Sequence, residues 1–198
     1  HLYLAIEGKL AAVICVEDPL REEAADAVRE LKEAGITKVV MMTGDSERTA
    51  AAIAKRVGVD EYYSEVLPED KASFVEKEKE LGHKVIMIGD GINDSLSLSS
   101  ANVGIAISDG AAIAREIADV TISADNLHEI VTLKRLSTAL MKRIHNNYRT
   151  IIGINGGLIA LGVTGIIMPT TSALLHNMST LTISLRSMRN LLPKEEEA

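Results

Sequence analysis

Cysteine and aromatic residues are scarce in this chain, and basic residues are fewer than acidic ones. Cys15 is the only cysteine among 198 residues, tryptophan is absent, and the net charge is −7. A single thiol cannot close an internal disulfide bond, which excludes a disulfide-stapled fold and suits a reducing compartment. Cys15 lies in an apolar run and is expected to pack in a core. The acidic balance argues against a nucleic-acid-binding module, so we expect no nucleic-acid partner.

Charge is missing altogether from one long stretch. Over residues 150–185 there is no Asp, Glu, Lys or Arg, and His176 is the only titratable side chain. Residues 150–168 and 171–188 each approach the roughly 20 mostly apolar residues that a membrane-spanning helix needs. The glycines of the first segment favour close helix packing in a membrane. We predict a transmembrane helical hairpin over residues 150–191, with a buried hairpin in a soluble protein as the alternative.

Basic residues flank this uncharged stretch on both sides. They are Arg143, Arg149, Arg186, Arg189 and Lys194. Because positive residues favour the cytoplasmic side of a membrane, we expect both ends of the hairpin and the domain before it in the cytoplasm, with lipid as a partner. Residues 126–149 are then a connecting helix, and residues 192–198 are a charged tail.

Before residue 126, apolar runs alternate with amphipathic segments. The predicted strands are Leu2–Ile6, Leu10–Val16, Lys38–Met42, Lys84–Ile88, Val103–Ile107 and Val120–Ile122. The predicted helices begin near Asp18, Ser46, Pro68, Asp94, Ala111 and Asp125. Apolar runs bounded by turn residues are typical of buried parallel strands, and strands that alternate with helices form a doubly wound sheet. We therefore predict an α/β fold with a doubly wound parallel sheet.

The first polar turn after a predicted buried strand is Thr43-Gly44-Asp45. In an open parallel sheet, ligands bind outside the carboxyl ends of the strands. Gly44 allows backbone amides to approach an anion, and the next helix begins here with the positive end of its dipole. Thr43 can also donate its hydroxyl proton. The turn is a candidate phosphate cradle, and a plain strand-to-helix turn is the alternative.

The second such turn is the GDGIND sequence of residues 89–94. Its two carboxylates, Asp90 and Asp94, repel each other unless a cation lies between them, and hard oxygen ligands suit Mg²⁺. The alternative is a simple turn in which Asp94 only caps the next helix. Lys71 begins a helix between the two strand ends, where it could neutralise a phosphoryl group as a point charge or be a solvated surface lysine.

The order of these residues resembles the haloacid dehalogenase superfamily: a threonine after one strand, then a lysine, then an aspartate pair after the next strand. The strings MTGD at Met42–Asp45 and GDGINDS at Gly89–Ser95 resemble the phosphorylation-domain signatures of P-type ATPases. Three more strings are similar to the same family: DPLR at Asp18–Arg21, VGIAI at Val103–Ile107 and ADVTI at Ala118–Ile122. The resemblance covers nearly the whole chain. Leu96-Ser97 departs from it, since the family usually has Pro-Ala there.

The resemblance implies two groups of site residues and ATP as the substrate. The first group holds and neutralises the phosphoryl group, with Asp45 supporting the turn: Thr43, Gly44, Asp45, Lys71 and Asn93. The second group belongs to a Mg²⁺ site: Asp90 and Asp94. In such enzymes positioning and charge neutralisation assist an aspartate that becomes phosphorylated.

The phosphorylated aspartate of the family is missing from these residues. Its Asp-Lys-Thr-Gly motif occurs nowhere in the chain. We therefore expect the chain to be the C-terminal part of a pump, with an incomplete phosphorylation domain at residues 1–125. The rest of the pump would be its partner, and the chain alone would not turn over ATP.

One hydrophobic hairpin after the phosphorylation domain resembles the heavy-metal-transporting branch of the family. The second segment contains His176 and Asn177. Burying a histidine in a membrane is costly, and imidazole suits transition metals, so both residues are candidate ligands of a transported heavy-metal cation. A passive histidine near the Pro169 loop is the alternative. Zinc, manganese, cobalt, another divalent metal and monovalent copper all stay open.

Two other functions also stay open. A membrane-anchored phosphatase of the haloacid dehalogenase superfamily would need an upstream Asp-x-Asp motif. A non-catalytic, truncated partner protein would keep the fold around an unused site. The intact set of Thr43, Lys71, Asp90 and Asp94 argues against an unused site.

Overall fold

The structure is a computed structural model that describes residues 2–6, 8–14, 20–89, 92–107, 116–122 and 126–191. The chain divides into two compact units. Unit 1 comprises residues 1–128, and unit 2 comprises residues 129–198.

Unit 1 begins with an antiparallel hairpin of two strands, β1 (Leu2–Ile6) and β2 (Lys9–Ile14). Gly8 lies in the tight turn between them with a φ of +76°, a backbone conformation that suits glycine. Both predicted strands are confirmed, although Cys15 lies outside the described residues. The apolar side chains of the hairpin stay exposed, with Tyr3 at 70% exposure.

A pair of parallel strands with helices around it follows. Its elements are α1 (Ala24–Glu33), β3 (Val40–Met42), α2 (Glu47–Val57) and β4 (Glu61–Tyr63). The predicted start of α2 is confirmed, because Ser46 is its N-cap residue. α2 ends at Gly58, which adopts a left-handed conformation with a φ of +79°. The predicted helix start at Asp18 lies outside the described residues.

The rest of unit 1 contains a second group of parallel strands. Its elements are α3 (Pro68–Glu80), β5 (Ile86–Gly89), a 3₁₀ turn (Ile92–Asp94), α4 (Ser95–Ser100), β6 (Val103–Ile107) and β7 (Val120–Ile122). β6 pairs with β5 on one side and β7 on the other. A side chain at Gly104 would bring its Cβ within 2.7 Å of the Leu98 carbonyl oxygen, so glycine lets β6 pack directly against α4.

The parallel α/β fold is confirmed, but the described strands do not form one continuous sheet. Among them β3 pairs only with β4, and β5 pairs only with β6. Each of these two strands therefore has one edge without a described partner. Backbone groups along such an edge are available for pairing with another strand.

One apolar cluster connects the elements that carry the polar turns of unit 1. Its buried members are Val75 of α3, Met87 of β5, Leu98 of α4 and Ala106 of β6. Met42, the last residue of β3, packs against this cluster. Full burial of a large apolar side chain stabilises a fold by about 1.5–3 kcal/mol. The same core therefore holds the carboxyl ends of β3 and β5 and the first turns of α3 and α4.

Unit 2 is formed mainly by two helices, α5 (His128–Val163) and α6 (Pro169–Ser187). The chain turns between them at Gly165, whose φ is +71°. Polar contacts join the helices along their length. Asn147 Nδ2 donates to Ser187 Oγ at 2.7 Å, and His176 Nδ1 lies 2.8 Å from Asn155 Oδ1. The helices therefore form an antiparallel hairpin, and the predicted continuous connecting helix is part of α5.

The helical hairpin predicted over residues 150–191 is present in unit 2, and that it crosses a membrane stays a prediction. Within the parts of the chain that the structure describes, no helix is both long and apolar enough to do so. Hydroxyl and amide side chains recur along α6, and Asn155 and several glycines interrupt the apolar run of α5.

Candidate active site

The Thr43 turn leaves β3 at its carboxyl end. Thr43 N donates to the Tyr63 carbonyl at 3.0 Å, and Val66 N donates to the Thr43 carbonyl at 3.0 Å, so the pairing with β4 continues past the strand. Thr43 Oγ1 donates to Asp45 Oδ2 at 2.9 Å and accepts from Asp45 N at 3.1 Å. Asp45 therefore fixes the Thr43 hydroxyl in position.

Hydrogen bonds to Glu47 connect the start of α2 with the end of β4. Its carboxylate accepts one hydrogen bond from the Ser64 hydroxyl at 2.6 Å and another from the Tyr62 hydroxyl at 2.7 Å. These two bonds, that from Ser64 first, hold the pKa of Glu47 below its usual value. Glu65 supports the same region, since its N–H donates to the Asp45 carbonyl at 2.9 Å. The Thr43 turn is thus attached to β4 on both of its sides.

Gly44 is exposed, and the fold itself does not require a glycine there. A Cβ at this position would meet only the Val66 carbonyl oxygen, at an ordinary contact distance of 3.9 Å. Its backbone is not in the left-handed region. The absent side chain instead leaves open space beside the backbone amides of the turn, as close approach to an anion requires.

Lys71 and Asp94 form a shielded ion pair. Lys71 Nζ lies 2.8 Å from Asp94 Oδ1, and the two side chains are only 16% and 11% exposed. α3 begins at Pro68, and Asp70 Oδ2 accepts from Leu67 N at 3.2 Å, which fixes the first helical turn and with it Lys71. The burial excludes the alternative of a solvated surface lysine.

Two neighbours fix Asp94 against the end of β5. A Cβ on Gly89 would come within 2.6 Å of the Asp94 Cβ, so only glycine allows this close approach. The hydroxyl of the fully buried Ser97 donates to the Asp94 carbonyl at 2.9 Å. Ser97 belongs to the Leu96-Ser97 departure from the family pattern, while Leu96 is 53% exposed. The departure thus affects the start of α4 and leaves the Asp94 carboxylate in contact with Lys71.

The predicted Mg²⁺ site can be described only at Asp94, because Asp90 and Gly91 lie outside the described residues. Asn93 precedes Asp94 in the 3₁₀ turn and is exposed. Carboxylate and amide oxygens are hard donors, and Mg²⁺ ordinarily takes one or two carboxylates together with phosphate and water. Across the described ranges no group of three His, Cys, Asp or Glu side chains could hold a metal ion. The donors present therefore fit a Mg²⁺ that shares its shell with a phosphate, and do not fit an all-protein cage.

His176 and Asn177 lie in the first half of α6, and both are exposed. The His176 Nδ1 contact with Asn155 Oδ1 is a hydrogen bond between the two helices of unit 2. A histidine that donates from Nδ1 to an amide oxygen keeps the Nε2 lone pair available, which is the usual state of a metal-ligating imidazole. The arrangement suits a ligand without deciding against a passive role.

Sequence reasoning missed three residues that support the predicted ones: Glu47, Ser97 and Asn155. Glu47 looks like an ordinary first-turn acid, because its hydrogen-bond donors lie on another strand. Ser97 was noted only as part of the Leu96-Ser97 departure, and nothing in the serine-rich sequence around it indicates that its hydroxyl contacts Asp94. Asn155 had a usable signal, since an amide within an uncharged stretch can form a hydrogen bond to a neighbouring helix.

The haloacid dehalogenase-like hydrolase family matches residues 2–102 of this chain. Three curated relatives cover most of it. The zinc-exporting P-type ATPase of Mycobacterium marinum is 36% identical over 95% of this chain and 26% of its own length. Copper-transporting ATPase 2 of Rhizobium meliloti is 44% identical over 88% of this chain and 21% of its own. The manganese-exporting P-type ATPase of Mycobacterium tuberculosis is 37% identical over 95% of this chain and 26% of its own length. The chain therefore spans about a quarter of the length of these relatives.

Solved structures of metal-transporting ATPases and their domains also match this chain. A zinc-transporting PIB-type ATPase in its E2.Pi state matches with a TM-score of 0.86 and 31% identity, over 96% of this chain and 31% of the other. The catalytic CPx-ATPase domain CopB-B matches with a TM-score of 0.57 and 33% identity, over 67% of this chain and 53% of that domain.

These similarities agree with the motifs and with the parallel α/β fold of unit 1. The resemblance to the heavy-metal P-type ATPases, which was based on the ordered strings of the sequence, is confirmed. The chain belongs to the haloacid dehalogenase-like hydrolase family, and its relatives within that family are heavy-metal P-type ATPases.

Proposed function

We propose that the chain is the C-terminal part of an ATP-driven P-type ATPase that transports a heavy-metal cation. The observation that carries the proposal is the shielded ion pair between Lys71 and Asp94 at the carboxyl end of β5. A cation held in a protected position beside a parallel sheet edge is what phosphoryl transfer requires, since that chemistry depends on positioning and charge neutralisation. The relatives that cover 88–95% of the chain support the same class of reaction.

In the proposed reaction, a carboxylate oxygen of an aspartate outside this chain attacks the γ-phosphorus of ATP. The bond from that phosphorus to the bridging oxygen breaks, and ADP leaves with the electron pair. Water later hydrolyses the aspartyl phosphate to aspartate and inorganic phosphate. The hydroxyl of Thr43 and the backbone amide of Gly44 would hold oxygens of the transferred group.

Lys71 would neutralise the charge of the transferred group. Its ammonium has three N–H donors, and Asp94 accepts only one of them at 2.8 Å. The remaining donors can therefore serve a phosphoryl oxygen while Asp94 keeps the side chain in place. Asp94 and Asp90 would hold Mg²⁺, with Asn93 beside them. When bound, that ion supplies further charge neutralisation at the phosphoryl oxygens.

We infer that the aspartate is carried by a strand that pairs with the free edge of β3 or β5. Both strands lack a described partner on one side, and Met42 and Met87 connect both to one core. A strand added there would end beside Thr43 and Asp94, because the carboxyl ends of parallel strands meet at one edge of the sheet. The exposed hairpin of β1 and β2 also favours a larger protein that would cover it.

Unit 2 would contribute to the path of the transported cation in a multi-pass membrane pump, with unit 1 in the cytoplasm. His176 offers an imidazole, and Asn155 and Asn177 offer amide oxygens. Such a mixed donor set suits a divalent transition metal. Relatives named for zinc, manganese and copper support this class of cargo, and the individual metal stays open.

The test is phosphoenzyme formation by the complete product of the gene in its native membrane, labelled with ATP that is radioactive at the γ-phosphate. We expect a label that hydroxylamine removes, as an acyl phosphate requires, and we expect Lys71→Ala to lose it. Lys77→Ala, on an exposed position of the same helix, is the control and should keep it. A complete product that never takes up hydroxylamine-sensitive label overturns the proposal.

A further inference from the structure

Unit 2 has an open cleft at the end of its hairpin that lies opposite the Gly165 turn. Its volume is about 350 Å³, and its walls are residues 139–147 of α5 and residues 186–191 at the end of α6. Four of the lining residues are basic: Lys142, Arg143, Arg186 and Arg189. Asparagines provide further polar lining, and no acidic side chain is among the described residues that line the cleft. The described lining of the cleft is therefore concave and carries only positive charge.

Arg143 lines this cleft and forms hydrogen bonds with the end of α6. Its guanidinium donates to the carbonyl oxygens of Ser187 and Asn190, each at 3.0 Å, and also to that of Arg189. The carboxyl end of a helix carries partial negative charge, which alone would repel an anion. Arg143 offsets that charge and at the same time holds the end of α6 against α5.

The other three basic residues of the cleft differ from Arg143 in their contacts. Lys142, Arg186 and Arg189 are exposed, and among the described residues none of them forms an ion pair. Like charges gathered in one concave site raise the local potential and concentrate anions there. Arginine guanidinium groups in particular match the oxygens of a phosphate group through paired N–H donors.

We propose that this cleft is a binding site for a phosphate-bearing anion, with Arg186 and Arg189 as its main ligands and Lys142 as a further cation. The volume accommodates a phosphate group together with part of the molecule that carries it. A phospholipid headgroup and free phosphate share this chemistry. Apolar side chains exposed on the hairpin beyond the cleft, such as Leu181 and Leu185, favour the lipid as the source. The inference rests on unit 2 alone and stands apart from the phosphoryl-transfer proposal for unit 1.

The experiment compares the full 198-residue chain with two double variants that remove the same charge. Arg186→Gln with Arg189→Gln changes the cleft, and Lys55→Gln with Lys77→Gln changes two exposed lysines of unit 1. One arm measures co-sedimentation with vesicles of phosphatidylglycerol and phosphatidylcholine, against vesicles of phosphatidylcholine alone. The other arm titrates inorganic phosphate and follows the amide signals of residues 186–191 by NMR. Circular dichroism checks that both variants keep their helices.

We expect the cleft variant to lose roughly 30-fold in affinity for the anionic vesicles, the factor for two basic residues near an anionic surface. The control variant should stay close to the unchanged chain. Loss of the phosphate response with unchanged vesicle binding supports the site and identifies free phosphate as the source. Equal behaviour of the cleft and control variants in both arms overturns the proposal.

Discussion

Lys71 Nζ lies 2.8 Å from Asp94 Oδ1, although the two residues are 23 positions apart in the sequence. The contact joins the first turn of α3 to the 3₁₀ turn that follows β5. Both side chains are nearly buried, so each depends on the other for compensation of its charge. In the proposed function, the same contact holds Lys71 where a phosphoryl group would bind.

Removing one member of the pair should cost more than the pair itself contributes. We expect Lys71→Met to lower the free energy of unfolding by about 3 kcal/mol, because Asp94 is left buried without its partner. Adding Asp94→Asn should recover part of that loss, with a coupling free energy of about 1–3 kcal/mol between the sites. Urea denaturation of the 198-residue chain measures the free energy of unfolding of each variant. Lys77→Met, on the exposed side of α3, should change stability by about 0.5 kcal/mol at most. Strict additivity of the two substitutions would contradict a direct interaction.

Gly44 and Gly104 should respond to alanine in opposite ways. Gly44→Ala adds a methyl group that meets only the Val66 carbonyl at 3.9 Å, so the melting temperature should hardly change. In the complete pump the same methyl group should lower the rate of phosphoenzyme formation, since it occupies the space beside the turn amides. Gly104→Ala drives a Cβ to within 2.7 Å of the Leu98 carbonyl and should destabilise the fold by about 1–3 kcal/mol. A Gly44→Ala pump with unchanged phosphorylation would show that the open space has no part in the reaction.

Acidification should weaken unit 1 through two exposed carboxylates. The pKa of Glu47 is lowered by hydrogen bonds from Ser64 and Tyr62, and the pKa of Asp60 is lowered by hydrogen bonds from Lys32 and the Val39 amide. A lowered folded-state pKa gives a stabilisation that is complete above the unfolded pKa. That stabilisation is lost as the pH falls through the folded pKa.

The measurement for these carboxylates is urea denaturation at a series of pH values below about 4.5, the ordinary value for glutamate. Stability should decline with acidification, and Glu47→Gln should make the decline shallower. Glu69→Gln, at an exposed residue of α3 whose carboxylate makes no described contact, is the control and should leave the slope unchanged. A Glu47→Gln variant with the original slope would rule out this source of pH dependence.

His176 should matter for transport more than for the fold. On the proposed function, His176→Ala in the complete protein, expressed in cells that lack their own exporter, should abolish growth at toxic zinc, manganese or copper concentrations that the unchanged protein permits. His145→Ala is the matched control, because His145 is an exposed histidine of unit 2 whose Nδ1 lies 2.8 Å from its own helix carbonyl at Met141. Equal resistance in the two variants would favour the passive role of His176.

Strong local patterns were enough to predict several elements of unit 1. Val103–Ile107 and Val120–Ile122 coincide with β6 and β7, because short apolar runs rich in β-branched residues lie between clear turn residues. α3 was recognisable from Pro68 at its first position. β4 was missed, since Glu61–Tyr63 has only three residues, one of them charged, and its strand conformation depends on pairing with β3.

The sequence was enough to select residues of the candidate site, but it was not enough to predict the contacts that they make. Thr43, Lys71 and Asp94 could be selected because each follows a strand or begins a helix. Their partners depend on tertiary packing: Ser97 contacts Asp94 only because α4 starts at Ser95, and Glu47 contacts Ser64 across two elements. The contact between Asn155 and His176 was likewise not predictable, because it forms only when the two helices of unit 2 pack together.

Three features join the two helices of unit 2. The chain turns at Gly165 at one end, His176 and Asn155 form a hydrogen bond between the ends, and Arg143 donates hydrogen bonds to carbonyl oxygens at the far end of α6. Sliding one helix past the other by a single turn, about 5.4 Å, would break all of the side-chain contacts at once. Tilting the two helices together would break none of them. The described contacts therefore hold the two helices of unit 2 in one register, from the Arg143 end to His176.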